Sequence, residues 1–158
     1  MKYRKALQID IDEVFLWIND PDTRAMSLNS GLIDYDDHKK WYSSKLTDDE
    51  NVMVIGFEDH EQSKKSGVVR FENRQTSVRV SINLSPESRG QGVGAEFLLK
   101  SQDFIPTAWP ATLLMAEIKS QNVASIKTFI NAGYVLENSS INEDTGDETV
   151  QIYVKLLN

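Results

Sequence analysis

The residues whose types and spacing best suit ligand chemistry form the run RGQGVG, from Arg89 to Gly94. This run follows a predicted strand and precedes a predicted helix. Glycine lets the backbone come close to a ligand, and the first N–H groups of a helix have no partners within it. Such a turn suits an anion, above all a phosphate group. The alternative is a glycine-rich connection without a ligand, although three alternate glycines cost backbone entropy for no packing gain.

Two nucleotide-binding motifs differ from this run. The phosphate loop of NTPases ends in Gly-Lys-Ser or Gly-Lys-Thr, whereas this loop ends in Val-Gly-Ala, which excludes it. The dinucleotide fingerprint G-x-G-x-x-A matches Gly90, Gly92 and Ala95, and Glu117 ends a strand about 20 residues further on. Against that interpretation, residues 85–89 separate the strand from the glycines, and too little chain follows for a doubly wound sheet.

The elements that must position this turn alternate between strands and helices. The predicted strands are 3–7, 51–57, 67–71, 78–84, 112–118, 134–136 and 149–156, and the predicted helices are 10–26 with an interruption at Pro21, 34–46, 93–104 and 122–132. Strict alternation of apolar and polar residues over 78–84 indicates a strand buried on one face. Three consecutive strands predict an antiparallel meander, and the later β-α-β units add parallel pairing. We therefore expect one α/β domain over 1–158, with a mixed, mostly antiparallel sheet of about six or seven strands flanked by helices.

Composition narrows the class of protein. Lys and Arg number 17 and Asp and Glu 24, which gives a net charge of −7, the opposite of the usual balance in a nucleic-acid-binding protein. The absence of cysteine excludes disulfides, thiolate metal sites and a cysteine nucleophile. No apolar run approaches the roughly 18 residues of a membrane span, and the first residues do not form a signal peptide. We expect a cytoplasmic protein without nucleic-acid or membrane partners, and a homodimer is compatible with the sequence.

The glycine turn and a second motif together resemble the acetyl-CoA-binding core of the GNAT family of N-acetyltransferases. The first signature is the strand 78–84 with the loop Arg89–Gly94 and its helix, and the second is the pattern N-x-x-S-x-x-x-F-x-x-x-G-Y over 122–134. The order of the strands is similar over nearly the whole chain. The resemblance implies a GNAT-like fold, an acetyl-CoA-dependent N-acetyltransferase and a reaction that needs no metal.

The resemblance also implies which residues hold acetyl-CoA. Residues 82–85 would pair with the pantetheine arm as a pseudo-strand, and backbone N–H groups of the glycine loop would hold the pyrophosphate. The implied cofactor-binding residues are Ile82, Leu84, Ser85, Arg89, Gly90, Gln91, Gly92, Val93, Gly94 and Asn122.

The N-terminal part of the chain resembles one particular branch of the family. The segment 17–41 contains the pattern W-x-N-D, R, S, I and H-x-x-W, which is similar to enzymes that acetylate amino groups on nucleotide-activated deoxyamino sugars. The branch that acetylates the N-termini of ribosomal proteins shares parts of this pattern. The first expectation for the acceptor is therefore a nucleotide-linked amino sugar. A protein or peptide N-terminal acetyltransferase and a non-catalytic acyl-CoA-binding module are the alternatives.

Acyl transfer from a thioester to an amine has three requirements. A base or a water path must take a proton, because amines of the lysine type have a pKa of about 10.4. The tetrahedral oxyanion needs an N–H donor, which the strand around Leu84 could offer. The thiolate, with a thiol pKa of about 8.5, needs modest help from an acid. Many relatives carry a Tyr acid seven residues after the motif Asn, where this chain has Phe129, so Ser125, Tyr134 or water remain as alternatives and Phe129 is expected to pack in the core.

Four further side chains complete the candidate set. His38 is the best single candidate for the base or a substrate contact, since histidine titrates near pH ~6.5, and the alternative is a helix-face His satisfied by a neighbour. Arg24 suits either a diphosphate or a surface ion pair, and Trp41 either a ring of the acceptor or the core. The predicted catalytic residues are His38, Ser81, Asn83 and Ser125, and the predicted substrate-binding residues are Arg24, His38, Trp41 and Arg70.

Overall fold

The computed structural model describes residues 1–58, 64–141 and 149–157. The described strands are β1 (Lys2–Lys5), β2 (Asn51–Phe57), β3 (Lys65–Asn73), β4 (Val78–Leu84), β5 (Leu113–Lys119), β6 (Val135–Ile141) and β7 (Thr149–Leu156). The described helices are α1 (Ile11–Ile18), α2 (Pro21–Met26), α3 (Tyr35–Leu46), α4 (Val93–Ser101) and α5 (Val123–Asn131). Within these ranges no helix combines the length and the apolar character that crossing a bilayer requires.

All seven strands belong to one sheet in the order β1-β2-β3-β4-β5-β7-β6. Every neighbouring pair is antiparallel except β4 and β5, which are parallel. The parallel contact is short, because only Val78 with Leu114 and Arg79 with Met115 are paired. Beyond Arg79 the two strands diverge and leave an opening in the middle of the sheet. The prediction of a mixed, mostly antiparallel sheet flanked by helices is confirmed.

Each face of the sheet carries its own apolar core, since successive side chains of a strand point to opposite faces. Val52 and Val54 of β2 pack in a cluster with Phe97 of α4 and Phe129 of α5. Met53 and Ile55 of the same strand pack in a second cluster with residues of α1 and α3. Helices α4 and α5 therefore cover one face, and α1 and α3 the other.

The helix predicted over 10–26 is two helices. The Asp20 side chain accepts a hydrogen bond from the backbone N–H of Thr23 (3.2 Å), and Pro21 occupies the first helical turn, so a new helix begins there. Helix α4 ends at Ser101, earlier than expected, and continues as a 3₁₀ turn over Gln102–Phe104. Strand β3 runs further in both directions than the predicted 67–71.

Two further expectations concern single segments. On α3, the amphipathic pattern predicts Tyr35 among the inward residues, whereas Tyr35 is 39% exposed and its hydroxyl donates to Asp12. Strand β6 extends to Ile141, well beyond the predicted 134–136. The turn predicted over 142–147 lies outside the described residues.

Candidate active site

The divergence of β4 and β5 opens a cleft of about 460 Å³. Four segments form most of its walls: residues 79–84 of β4, residues 116–118 of β5, residues 22–28 of α2 and the turn after it, and the face of α5 that carries Ala124, Ser125, Thr128 and Phe129. The sequence-predicted residues that line it are Ser81, Ile82, Asn83, Leu84, Arg89, Gly90, Asn122 and Ser125. The two signatures recognised in the sequence therefore meet at one place.

The backbone of β4 presents hydrogen-bonding groups to this cleft. The N–H of Ser85, just after the strand, donates to the carbonyl of Ser66 in β3 (2.9 Å). Because backbone groups of alternate residues point to opposite sides of a strand, those of Ile82 and Leu84 point toward β5, which has diverged at this level. An extended chain with amide groups, such as pantetheine, can pair with them. The Ser85 side chain is not part of this wall, since it is buried and its Oγ hydrogen-bonds Ser88 Oγ (3.0 Å).

The glycine loop has the form expected of an anion site. Gly90 and Gly92 have φ angles of 71° and 75°, the left-handed region that other L-residues seldom adopt. A Cβ built on either glycine would have no heavy atom within 4 Å, so the space above the loop is open. Gly92 is also the N-cap of α4, whose first N–H groups have no partners within the helix. These features fit the pyrophosphate of a CoA molecule.

Three other members of the loop have different surroundings. A Cβ on Gly94 would lie 2.8 Å from Thr128 Cγ2, so this glycine permits close packing of α4 against α5. The side-chain amide of Gln91 donates to the Glu87 carbonyl (2.6 Å). Gln91, Gly92, Val93 and Gly94 are not among the residues that line the cleft, so the proposed pyrophosphate site lies beside the cleft.

The Arg89 side chain connects the loop to α2. Its guanidinium donates to Asp20 Oδ2 (2.7 Å) and to Thr23 Oγ1 (3.0 Å), and it also reaches the Leu84 carbonyl (3.3 Å). The hydrogen bond from Arg89 holds the pKa of the Asp20 carboxyl below its usual value. Arg89 therefore joins the two sides of the cleft.

The face of β4 toward α2 is polar. Asn83 Oδ1 accepts a hydrogen bond from Thr23 Oγ1 (3.4 Å), while Asn83 Nδ2 is buried without a hydrogen-bond partner among the described residues. Ser81 lies two residues earlier and is exposed. Arg79 Nε lies 3.4 Å from Glu117 Oε1 of β5. A hydroxyl, an amide, a guanidinium and a carboxylate thus surround this side of the cleft.

The opposite side of the cleft is formed by α5. Asn122 caps the helix, because its Oδ1 accepts from the N–H of Ser125 (3.1 Å). Phe129 is 2% exposed and packs edge-on against Tyr134 with 4.9 Å between ring centroids, so its expected place in the core is confirmed. The Tyr134 hydroxyl is buried without a partner in the described part of the chain, burial raises its pKa, and the residue does not line the cleft. Ser125, which belongs to the second signature and carries a hydroxyl group, does line the cleft.

His38 lies away from the cleft, in the core between α1 and α3. It is 1% exposed, and its Nε2 is 3.0 Å from the carbonyl oxygen of Ile11. The rings of Phe15, Trp41 and Tyr42 surround it at centroid distances of 5.3 to 5.8 Å. Burial lowers the pKa of His38, so the neutral imidazole is favoured. A buried ring without access to the cleft cannot touch the acceptor, which corrects the role expected for His38.

Among the described residues, Arg24 forms no ion pair with a carboxylate, and it does not line the cleft. Its guanidinium donates to the carbonyls of Asn29 (2.9 Å) and Gly31 (3.0 Å) and to Ser27 Oγ (2.9 Å). Both interpretations offered for Arg24 from the sequence are therefore replaced by a third, in which it shapes the turn that follows α2. That turn supplies Ser27 and Leu28 to the cleft.

Trp41 and Arg70 lie together beyond the cleft wall. The Arg70 guanidinium lies over the Trp41 ring, 5.3 Å from the centroid, and also donates to Asn51 and Glu72. Neither residue lines the cleft itself.

Sequence reasoning missed Glu117 and Arg79 as site residues. Arg79 has the same parity as Ser81 and Asn83 along β4, so its shared face could have been recognised. Glu117 could not, because its ion pair with Arg79 depends on β4 and β5 being neighbours.

The fold and the cleft define the class: a mixed sheet split between two parallel strands, with a glycine-rich loop and the N-terminus of α4 beside the split. The sequence profile of the acetyltransferase (GNAT) domain matches residues 2–135. The chain belongs to this family and is an acetyl-CoA-dependent N-acetyltransferase. It has no significant match among curated proteins.

Solved structures share the fold. Spermidine N-acetyltransferase from Vibrio cholerae, in complex with CoA and spermine, has a TM-score of 0.84 at 15% identity over 98% of this chain and 94% of its own. A Salmonella typhimurium protein with its cofactor acetyl-CoA has a TM-score of 0.81 at 20% identity over 100% and 94%. Ribosomal-protein-alanine N-acetyltransferase from Brucella melitensis has a TM-score of 0.79 at 19% identity over 99% and 100%. At these identities the likeness concerns the fold.

Proposed function

We propose that this chain transfers the acetyl group of acetyl-CoA to the primary amine of a nucleotide-linked amino sugar. The observation that carries the proposal is the polar wall on the α2 side of the cleft. Ser27, Ser81 and Asn83 line it, and the buried Nδ2 of Asn83 has no partner among the described residues. An unpaired buried donor costs free energy, which a bound hydroxyl or carbonyl of the acceptor would recover.

Asn19, Asp20 and Arg24 of the front-half pattern support the same acceptor, because they hold the segment that carries Ser27 to this wall. Asn19 holds Ile33 through two hydrogen bonds, from its Nδ2 to the Ile33 carbonyl (2.8 Å) and from the Ile33 N–H to its Oδ1 (2.9 Å). Arg24 and Asp20 fix the two ends of α2. The pattern that resembles amino-sugar acetyltransferases therefore corresponds to the scaffold of the acceptor side.

The chain's own groups supply each step of the reaction. Glu117 on the α2 side takes the proton of the amine, directly or through a water, so that the nitrogen lone pair attacks the thioester carbon. Backbone N–H groups of β4 near Leu84 stabilise the oxyanion. The C–N bond forms and the C–S bond breaks. The proton still carried by the new amide nitrogen passes through a water or the Ser125 hydroxyl to the CoA thiolate, so that CoA leaves as the thiol.

A polyamine is the second candidate for the acceptor. Glu117 and the exposed Asp22 place carboxylates at the cleft, and carboxylates attract a polycation. The Vibrio cholerae spermidine enzyme shares the fold. The two further alternatives, acetylation of a peptide N-terminus and an acyl-CoA-binding module without turnover, are distinguished by the same experiment.

The experiment measures CoA release from acetyl-CoA over a panel of amines. The panel contains nucleotide-linked 3-amino- and 4-amino-deoxysugars, spermidine, and peptides with free N-termini. We expect rapid release with an amino sugar. Release with spermidine or a peptide alone would replace the proposed acceptor, and acetyl-CoA binding without release over any amine would support the binding module.

Glu117→Gln tests the proposed base. We expect kcat/KM for the acceptor to fall by about 10²- to 10⁴-fold, the usual contribution of general base catalysis, with unchanged acetyl-CoA affinity. The matched control is Glu137→Gln, which removes an exposed carboxylate from β6. Turnover equal to that of the control would show that another group takes the proton.

A further inference from the structure

Three arginines gather beside the cleft around one carboxylate. Arg70 Nη2 lies 2.6 Å from Glu72 Oε2, and Arg74 Nη2 lies 3.0 Å from Glu72 Oε1. Arg79 is directly opposite Glu72 in the pairing of β3 with β4. We name Arg70, Arg74 and Arg79 the arginine cluster.

The arginine cluster is continuous with the acceptor side of the cleft. Arg70 is opposite Ser81 in the same pairing, and residues opposite each other in a sheet present their side chains to the same face. Ser81 and Arg79 both line the cleft. They are two residues apart, about 7 Å along the strand, which is close to the width of one sugar ring.

Positive charge is concentrated at this place, where three guanidinium groups lie beside the carboxylates of Glu72 and Glu117. Glu72 and Asp48 act on Arg70 as well, and their negative charges favour its protonated form. Burial and the neighbouring charges of Arg79 and Arg74 outweigh them and lower the pKa of Arg70, which is consistent with mutual repulsion among the three arginines.

The arginines keep donors available for a ligand. A guanidinium has five N–H donors. The ion pair of Arg79 with Glu117 involves the one at Nε. The Arg74 side chain is 50% exposed and that of Arg79 is 34% exposed. Arg70 is anchored by Asn51, Glu72 and the Trp41 ring, so it supplies charge from a fixed position.

We propose that the arginine cluster binds the diphosphate of the nucleotide-linked acceptor, with Arg74 and Arg79 in contact and Arg70 behind them. This inference rests on the proposed function and specifies how that acceptor is held. Guanidinium forks match the geometry of phosphate oxygens, and charge-assisted hydrogen bonds are the stronger class. The sugar would then extend from Arg79 past Ser81 into the opening between β4 and β5.

The test measures binding of UDP and of inorganic pyrophosphate by calorimetry to protein saturated with CoA, so that the glycine loop is already occupied. The variants are Arg74→Gln, whose side chain is half exposed, and Arg74→Gln/Arg79→Gln. The control Lys39→Gln/Lys100→Gln removes two exposed positive charges elsewhere. CoA affinity is measured for every variant as the check on folding.

We expect the double variant to bind UDP at least about tenfold more weakly than the control, since each charge-assisted hydrogen bond contributes a factor of this size or more. In the single variant Arg74→Gln, KM for a UDP-linked amino sugar should also rise, and KM for the methyl glycoside of the same sugar should not change. UDP affinity equal to that of the control, with normal CoA affinity, would overturn the proposal.

The outcomes separate this proposal from the proposed function. UDP binding that depends on the arginines, without turnover of any amino sugar, would uphold the anion site and contradict the acceptor. Turnover of a UDP-linked amino sugar that is indifferent to both variants would uphold the acceptor and overturn the anion site.

Discussion

Gly92 has a left-handed backbone conformation and also lies at the expected pyrophosphate site, at the N-terminus of α4. Its φ of 75° suits glycine and, less readily, asparagine, and the space beyond its Cα is open. A substitution there can therefore be accommodated by the fold and still obstruct an anion. Substitutions of Gly92 are therefore a specific test of the expected CoA site.

Gly92→Asp and Gly92→Asn form a matched pair, because the two side chains have similar shapes and differ in charge. We expect Gly92→Asp to abolish acetyl-CoA binding through bulk and like charge, and Gly92→Asn to retain more of it. Calorimetry measures the affinities, and circular dichroism checks the fold. Wild-type affinity in Gly92→Asp would contradict the pyrophosphate site.

The burial of His38 links its protonation to the stability of the fold. Because burial lowers its pKa, the unfolded chain binds the proton more readily than the folded one. The stability that the neutral ring contributes is therefore present above the unfolded pKa of about 6.5 and is lost as the pH falls below it.

His38→Ala should lower the free energy of unfolding by about 2 kcal/mol or more, since it leaves a cavity among three aromatic rings. We expect kcat at a temperature where the variant is folded to stay within about twofold of wild type. Urea unfolding and CoA release measure the two quantities. A large loss of turnover with unchanged stability and acetyl-CoA affinity would restore the catalytic role predicted from the sequence.

At the scale of elements, the split between β4 and β5 and the turn after α2 create the two sides of the site. The split frees the backbone of β4, and the turn is held by Asn19 and Arg24. Neither residue lines the cleft, yet both determine where Ser27 and Leu28 lie. They are positioning residues for the acceptor side.

Asn19→Ala removes both hydrogen bonds to Ile33. We expect KM for the acceptor to rise about tenfold and stability to fall by about 1 to 3 kcal/mol, because two backbone groups lose their partner. Acetyl-CoA affinity should not change. The control is Asn29→Ala, which removes one exposed hydrogen bond to Gly31 in the same turn. An equal KM in both variants would remove Asn19 from this role.

At the scale of the whole molecule, a buried ionic network around Asp10 joins β1 to β3. Asp10 is fully buried and accepts hydrogen bonds from Arg4 (2.7 and 2.8 Å) and the Leu7 N–H (2.8 Å), while Lys65 Nζ of β3 lies 3.0 Å away. Burial by itself would raise the pKa of this carboxyl, but the hydrogen bonds outweigh it and the pKa is lowered. The resulting stability is present above the unfolded pKa of about 3.9 and is lost as the pH falls through the folded value.

Asp10→Asn should lower the free energy of unfolding at pH 7 by about 3 to 5 kcal/mol, since Arg4 and Lys65 lose a buried partner. The difference from wild type should shrink below about pH 4 as the wild-type carboxyl becomes protonated. Urea unfolding at several pH values measures this. The exposed Asp103→Asn is the control, and a pH-independent difference would show that packing, not charge, is responsible.

The sequence by itself determined most of the elements and the position of the glycine loop that is expected to hold acetyl-CoA. Alternation over β4 and the RGQGVG loop before α4 are local signals, so most of the element boundaries were predicted closely. Within one helix or strand, residues share a face because side chains recur at fixed intervals.

Only the tertiary structure decided the acceptor side. The burial of His38, the backbone contacts of Arg24 and the approach of Glu117 to Arg79 each depend on elements distant in sequence. A side chain's chemistry is visible in the sequence, but its exposure and its partners arise from packing between those elements. The strand β5 that brings Glu117 to the cleft is placed by the sheet order, which no local pattern in the sequence encodes.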